Sequence, residues 1–336
     1  MNGQDCVITS APGKMIVLGE HSVVYGKPAV ALAIDRRFYC KVQKSADLIV
    51  NGHRAMAGSH PHVRSILHDN GVGNINITAV TDIPTSSGLG SSAALSSSIA
   101  LAVRKLYGKE IDEESIARDS FNAEWFAQGR ASPIDTSTCT HGKGIALNNP
   151  EGMGKQLWKI TKGENTWRVT EIDVPDMTFV VGYTGVHAST GPIVEKVRKF
   201  KESNRFASDI VDEIGLVSLL GMNAIRRGDK EDLGEIMTRN HKLLSILGVS
   251  CKELNKLVNA SLPHSYGAKL TGSGGGGSMI ALTDDPDAVC EAIRLHGGVP
   301  MVIHTETEGV RTETEVPNDG AFPLVIPNSR FSVARF

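Results

Sequence analysis

The chain has 336 residues, more than one small hydrophobic core supports, so two packed domains or one large α/β unit are expected. Its 35 Lys and Arg nearly balance 37 Asp and Glu, which leaves no basic footprint for a nucleic acid. With 40% hydrophobic and 21% charged residues, global disorder is excluded.

Short apolar or β-favouring runs open the chain: Val7 to Thr9, Met15 to Leu18, Ala29 to Ile34 and Phe38 to Val42, separated by Gly, Pro and charge. Ile75 to Val80 alternates as a half-buried strand does. A Gly- and Ser-rich turn follows, and then Leu95, Ile99, Ala102 or Val103, and Leu106 recur at helical spacing up to a stop at Gly108. Asp112 is placed to cap a second helix, with Ile111 and Ile116 at the staple positions and Gly129 as its end. Residues 145–181 read as strands, and 192–203, 208–227, 230–246 and 250–260 as helices. Ala268 to Leu270 and Ser278 to Leu282 are short strands around a glycine run. Pro286 to His296 is a helix capped by Asp285, and 300–305 is a last strand. The composition shift at Glu171, Asp173, Pro175 and Asp176 marks a boundary between domains 1–174 and 175–316, and 317–336 reads as an extension. Strands then helices in both halves argue for α+β.

Five scattered cysteines, Cys6, Cys40, Cys139, Cys251 and Cys290, without a CxxC pair, point to reduced thiols in the cytoplasm and away from a zinc site. No basic region precedes an apolar stretch at the start, so a signal peptide is not expected. The uncharged window Ile83 to Val103 is long enough to span a bilayer, but seven serines and two glycines make it too polar for lipid.

Four features carry chemistry. Pro84-Thr85-Ser86-Ser87-Gly88-Leu89-Gly90-Ser91-Ser92 runs through Ala93 and Ala94 into a helix, whose first N–H groups lack internal partners and favour an anion. It is neither a Walker loop nor a dinucleotide fingerprint, and an ordinary capped helix start remains the plain alternative. On a helical wheel, Glu124 shares an arc with Ile116, Ala117, Ser120, Ala123 and Ala127, while Glu114, Arg118 and Asp119 fall outside it. A carboxylate on an apolar face needs a partner, which is a metal or a structural salt bridge. Asp135 lies in a proline-fixed segment dense with hydroxyls, where a turn aspartate is the simpler reading. Lys14 stands on the stiff turn Ala11-Pro12-Gly13, and Glu20 and His21 follow an apolar run at a strand end; a solvated lysine and a structural histidine are their bland readings. Gly272 to Gly277 holds five glycines in six residues, more than a hairpin needs, so this backbone must approach a ligand or the first glycine loop closely, unless it is a flexible linker.

Ala11-Pro12-Gly13-Lys14, Pro84 to Ala94 and Lys269-Leu270-Thr271-Gly272-Ser273-Gly274-Gly275-Gly276-Gly277 resemble, in order and spacing, the three motifs of the galactokinase, homoserine kinase, mevalonate kinase and phosphomevalonate kinase (GHMP) superfamily. Leu18-Gly19-Glu20-His21-Ser22-Val23-Val24-Tyr25-Gly26 and Ala131 to Thr138 most resemble its mevalonate kinases, in their archaeal form. The resemblance implies an α+β fold of two domains, the first like ribosomal protein S5 domain 2 and the second ferredoxin-like, with the site between them. It implies ATP-dependent phosphorylation of mevalonate to 5-phosphomevalonate, a step of isoprenoid biosynthesis. ATP phosphates would lie on residues 84–94, and Ser92 and Glu124 would bind Mg²⁺. Asp135 would grip the primary hydroxyl and act as general base. Lys14 would sit beside it and offset developing charge, and Glu20 and His21 would help bind mevalonate. The implied partners are ATP and mevalonate, with no nucleic acid or membrane, in a cytoplasmic homodimer. Three departures stand out: Ser86 where the family often has glycine, Asp135-Thr136 where it often has Asp-Asn, and no tryptophan a few residues on. The alternatives are another small-molecule kinase of the superfamily and a non-catalytic nucleotide-binding regulator.

Overall fold

The computed structural model describes residues 6–84, 87–129, 131–187 and 190–317. The first half holds β1 (Cys6–Leu18), β2 (Ala29–Lys44), β3 (Ile49–Val50), β4 (His53–Arg54) and α1 (Pro61–Asp69). It continues through β5 (Ile75–Thr81), α2 (Ser91–Leu106), α3 (Glu113–Gln128), α4 (Ile134–His141), β6 (Gly144–Leu147), β7 (Lys155–Lys162) and β8 (Asn165–Ile172). The second holds β9 (Thr178–Tyr183), α5 (Thr190–Ser203), α6 (Arg205–Arg227), α7 (Lys230–Ile246), α8 (Lys252–Ser261), β10 (Gly267–Thr271), β11 (Ser278–Leu282), α9 (Pro286–Leu295) and β12 (Val299–His304), followed by β13 (Arg311–Thr312).

The four short strands expected before residue 45 are two long ones. β1 and β2 pair antiparallel from Cys6 with Gln43 to Leu18 with Val30, and register shifts at Pro12/Gly13 and Ile16/Leu18 absorb the proline that seemed to end a strand. The charges that seemed to break β2 are satisfied at a distance: the Arg37 guanidinium donates to Ser10 Oγ at 2.8 Å and to the Gly309 carbonyl at 2.6 Å. β2 carries β1 on one edge and both β5 and β6 on the other, and the sheet runs β4-β3-β5-β2-β6-β8-β7. α2 packs on β1 and β2, with α1, α3 and α4 around it.

The second sheet has the order β10-β11-β9-β12, antiparallel throughout. Strand, helices, two strands, helix, strand in that order is the ferredoxin-like arrangement, with four helices in its first crossover. Both faces of this sheet are covered. Phe179 and Val181 of β9 join an apolar cluster shared with the first sheet, while Val180 joins one built from α6 to α9. That double burial explains why β9 reads as a continuous apolar run. The last strand leaves the second sheet: Arg311 and Thr312, expected in the second domain, pair with Ser10 and Thr9 of β1. Of the extension expected at 317–336, only Pro317 falls among the described residues.

Several caps hold as read. Asp112 accepts from Ser115 N at 2.8 Å, Asp285 accepts from Ala288 N at 3.1 Å, and Gly129 closes α3 at φ 72°. Two expectations fail. Asp135 is not in a turn but in the first turn of α4, where Ile-Asp-Thr-Ser-Thr-Cys-Thr-His has poor helix propensity and is sustained by burial against α2 and β6. Asp119, outside the apolar arc, is buried all the same, because Arg104 Nε meets it at 2.8 Å and Asn70 Nδ2 at 2.9 Å.

Candidate active site

A cleft of about 1180 Å³ opens between the two halves. Pro84, Ser87 to Ser92, Lys14, Glu20, His21, Glu124 and Asp135 all line it, together with Thr271 to Gly274, Gly276 and Gly277. Thr85 and Ser86 lie outside the described residues. Ala93 and Ala94 do not line the cleft; both side chains are buried under the helix, so they offer only backbone to a ligand.

The glycines of the first loop are needed for shape. Gly88 and Gly90 have φ of 80° and 78°, and α2 starts at Ser91 with no side chain capping its free N–H groups. A Cβ on Gly90 would stand 2.7 Å from Lys14 Cγ, so only glycine lets the lysine pass. Ser87 spends its hydroxyl on the Pro84 carbonyl at 2.6 Å, which tightens the turn. The second loop lies against the first: a Cβ on Gly88 would come within 3.2 Å of the Thr271 carbonyl, and one on Gly272 within 3.5 Å of Gly88 Cα. The glycine run is therefore a close-packed wall, its backbone held by Gly275 N to Val249 O at 2.7 Å and Gly277 N to Val186 O at 2.9 Å.

Lys14 is fixed from both ends. Its N–H donates to Leu89 O at 2.9 Å, and its Nζ donates to Gly88 O at 3.2 Å. Nζ also stands 3.0 Å from Asp135 Oδ1. That contact is an ion pair without an aligned hydrogen bond, so Oδ1 keeps an unengaged lone pair. Asp135 is 38% exposed and open to the cleft. Its place in the first turn of α4 suits an anion.

Glu124 is buried, as its place on the wheel required. Gln128 Nε2 donates to Oε2, while Oε1 is buried without a hydrogen-bond partner and lies 3.4 Å from His62 Nε2. Glu20 is sealed: its side chain is 1% exposed, Oε1 pairs with Lys269 Nζ, and Oε2 accepts from Asn240 Nδ2 at 3.1 Å. Burial lowers the Lys269 pKa, against the pull of Glu20. His21 adopts φ 62°, and its Nε2 donates to the Ser273 carbonyl at 2.9 Å. Burial lowers its pKa more than that bond raises it, so the ring is neutral at pH 7. Thr271 Oγ1 donates to Ile16 O at 3.0 Å and accepts from Ile16 N, a further tie across the cleft. Sequence reasoning passed over His62, Gln128 and Lys269 as single residues; only Lys269, as the charged start of the third motif, carried a signal.

Family models for the GHMP kinases N terminal domain and the GHMP kinases C terminal match residues 56–143 and 222–297. The mevalonate kinase of Pyrococcus horikoshii is 35% identical over 345 residues, covering 91% of this chain and 98% of that protein. The chain belongs to the mevalonate kinase family. Two solved members of that family share its fold. The Methanococcus jannaschii mevalonate kinase superposes with a TM-score of 0.73 at 25% identity, covering 91% of this chain and 99% of its own. The L. major mevalonate kinase in complex with R-mevalonate superposes with a TM-score of 0.76 at 24% identity, covering 92% and 97%. Each of the two family-model regions contributes residues to the cleft, the first spanning α2 and Asp135, the second the end of α6 through α9.

Proposed function

We propose that this chain transfers the terminal phosphate of ATP to the primary hydroxyl of mevalonate, giving 5-phosphomevalonate. The observation that carries the reading is the Lys14–Asp135 pair, 3.0 Å apart at the open cleft and wedged against a glycine loop that starts a helix. Phosphoryl transfer asks the protein for position and positive field rather than covalent chemistry. The N–H groups from Gly88 to Ser92 cradle the phosphates. Lys14, held by Gly88 and Leu89, faces the charge that develops on the transferring group. The Asp135 carboxylate accepts the hydroxyl proton, a role worth ~10²–10⁴-fold for a well-placed base. His21, neutral and with Nδ1 away from its bond to Ser273, presents an acceptor to the substrate. Glu20, with both oxygens engaged, shapes the wall beside it.

The residues present fit a divalent cation. Glu124 Oε1 is buried and unpartnered, and the Ser91 hydroxyl beside Ser92 is too. Among the described residues no cluster of three or more His, Cys, Asp and Glu stands ready to hold an ion, so phosphate oxygens must complete its shell. Ser92 and Glu124 are the residues proposed to hold Mg²⁺ with ATP, where it would neutralise phosphate charge. Among the described residues no helix is long and apolar enough to cross a membrane. A cytoplasmic homodimer remains part of the proposal, checked by sedimentation of the purified protein.

The test is ADP release with mevalonate set against galactose, homoserine and phosphomevalonate. Turnover confined to mevalonate is the expected result. Turnover with another alcohol moves the chain elsewhere among the GHMP kinases, and ATP binding without turnover on any of them makes it a regulator.

A further inference from the structure

His62 occupies the first turn of α1, behind Pro61, and α1 packs on α3. Its Nε2 and Glu124 Oε1 face each other at 3.4 Å, and both atoms are buried with no hydrogen-bond partner. Buried lone pairs in folded proteins nearly always find a partner, so two orphans side by side call for a shared one. The Glu124 side chain is 7% exposed and its other oxygen already accepts from Gln128, so Oε1 is the oxygen with no partner at all. His62, Glu124, Ser91 and Ser92 all line the same cleft.

The separation is informative. A charge-assisted hydrogen bond would draw nitrogen and oxygen to about 2.7–2.9 Å. Two ligands each about 2.1 Å from one ion, at an angle between octahedral and tetrahedral, stand about 3.0–3.4 Å apart. The observed 3.4 Å is too long for the first case and lies at the wide end of the second.

We infer that His62 Nε2 joins Glu124 Oε1 as a direct ligand of the divalent cation that enters with the nucleotide. This rests on the kinase reading above and deepens it: the protein contributes an imidazole nitrogen as well as oxygen. The consequence is metal preference. Mg²⁺ is a hard ion that takes oxygen ligands, whereas affinity for an imidazole nitrogen rises along the first transition row from Mn²⁺ through Co²⁺ to the later ions. The nucleotide site of this chain binds Mn²⁺ and Co²⁺ more tightly than an all-oxygen site does, and His62 is the source of the difference.

The experiment titrates Mn²⁺ into the whole protein with a non-hydrolysable ATP analogue, following bound metal by electron paramagnetic resonance and its ligands by spin-echo modulation. The expected result is ¹⁴N coupling of a coordinated imidazole in the wild type. His62→Ala loses that coupling and weakens Mn²⁺ by roughly tenfold or more, with a much smaller change for Mg²⁺. Glu124→Gln weakens both ions. Thermal unfolding of His62→Ala, and a repeat with the bulkier His62→Gln, separate ligand loss from misfolding. Bound Mn²⁺ without ¹⁴N coupling in the wild type, or an unchanged Mn²⁺ affinity in His62→Ala, overturns the inference while leaving mevalonate-dependent turnover standing. A wild type that binds the analogue but no Mn²⁺ overturns it together with the metal–nucleotide reading beneath it.

Discussion

Lys14 with Asp135 and Lys269 with Glu20 are the same chemistry in opposite surroundings. The first pair lines the cleft, with the Asp135 side chain 38% exposed. The second is sealed, with side chains 0% and 1% exposed and both carboxylate oxygens occupied. Burying an ion pair costs desolvation that mutual attraction only roughly repays, so the sealed pair serves placement more than stability. It joins the turn after β1 to β10, two elements 249 residues apart, and so fixes the wall on which His21 stands. A lysine–carboxylate pair does work on a substrate only where solvent and free lone pairs remain.

Asp135→Asn strains this contrast most. Turnover is expected to fall by ~10²–10⁴-fold, with ATP-analogue binding and unfolding midpoint kept. Near-normal turnover would show that the open pair is as passive as the sealed one. Lys269→Met comes next: it strands a buried carboxylate and lowers unfolding free energy by about 3–5 kcal/mol in denaturant titration. Adding Glu20→Leu removes the stranded charge and restores most of that loss; if the double variant is no better than the single, the sealed pair is not acting as a pair. Gly90→Ala sharpens the geometry of the open pair. Its φ of 78° costs an L-residue about 1–2 kcal/mol, and the new methyl displaces Lys14, so kcat falls by up to ~10²-fold while KM changes less.

The smallest effects are in pH. His241 is a neutral ring beside the sealed pair, its Nδ1 accepting from Leu270 N and its pKa pushed down to about 4 by burial and by Lys269. Because its folded value lies below the unfolded value of 6.5, its contribution to stability is present above pH 6.5 and lost as pH falls toward about 4. His141, at the end of the helix that carries Asp135, has the opposite sign. Burial opposes its charge, but Glu113 and Glu171, each 2.7 Å away, raise its pKa. Its clamp is complete below pH 6.5 and fades as pH rises through the raised value. The gap in melting temperature between wild type and His141→Gln should be widest at acid pH and close on the alkaline side; a gap that widens with pH refutes the charge assignment.

How much of this was legible in the residues follows from what each signal depends on. Asp112, Gly129 and Asp285 were readable because caps act within a few residues. The glycine loops were readable because positive φ and close approach leave glycine little competition. Glu124 was found by periodicity, which reports a face. Asp119 was misjudged for the same reason, since Arg104 and Asn70 bury it from outside the apolar arc. α4 escaped notice because its hydroxyl-rich sequence favours helix only when packed on α2 and β6. The engagement of both Glu20 oxygens could not be seen at all, because Asn240 and Lys269 reach it from more than two hundred positions away.

The pairing of Arg311–Thr312 with β1 has a consequence for the order of folding. Cys6–Leu18 lies far from Arg311–Thr312 in sequence, so that strand's outer edge stays unfilled until both segments are present, and the apolar cluster beneath it also needs Phe179, Ile280 and Ile303. Strands β1 to β8 without the second sheet would carry an open edge and a bare apolar face, a combination that invites aggregation. The first sheet is therefore completed by residues that follow the second sheet in sequence, and contacts of such long separation make slow folding the expected behaviour.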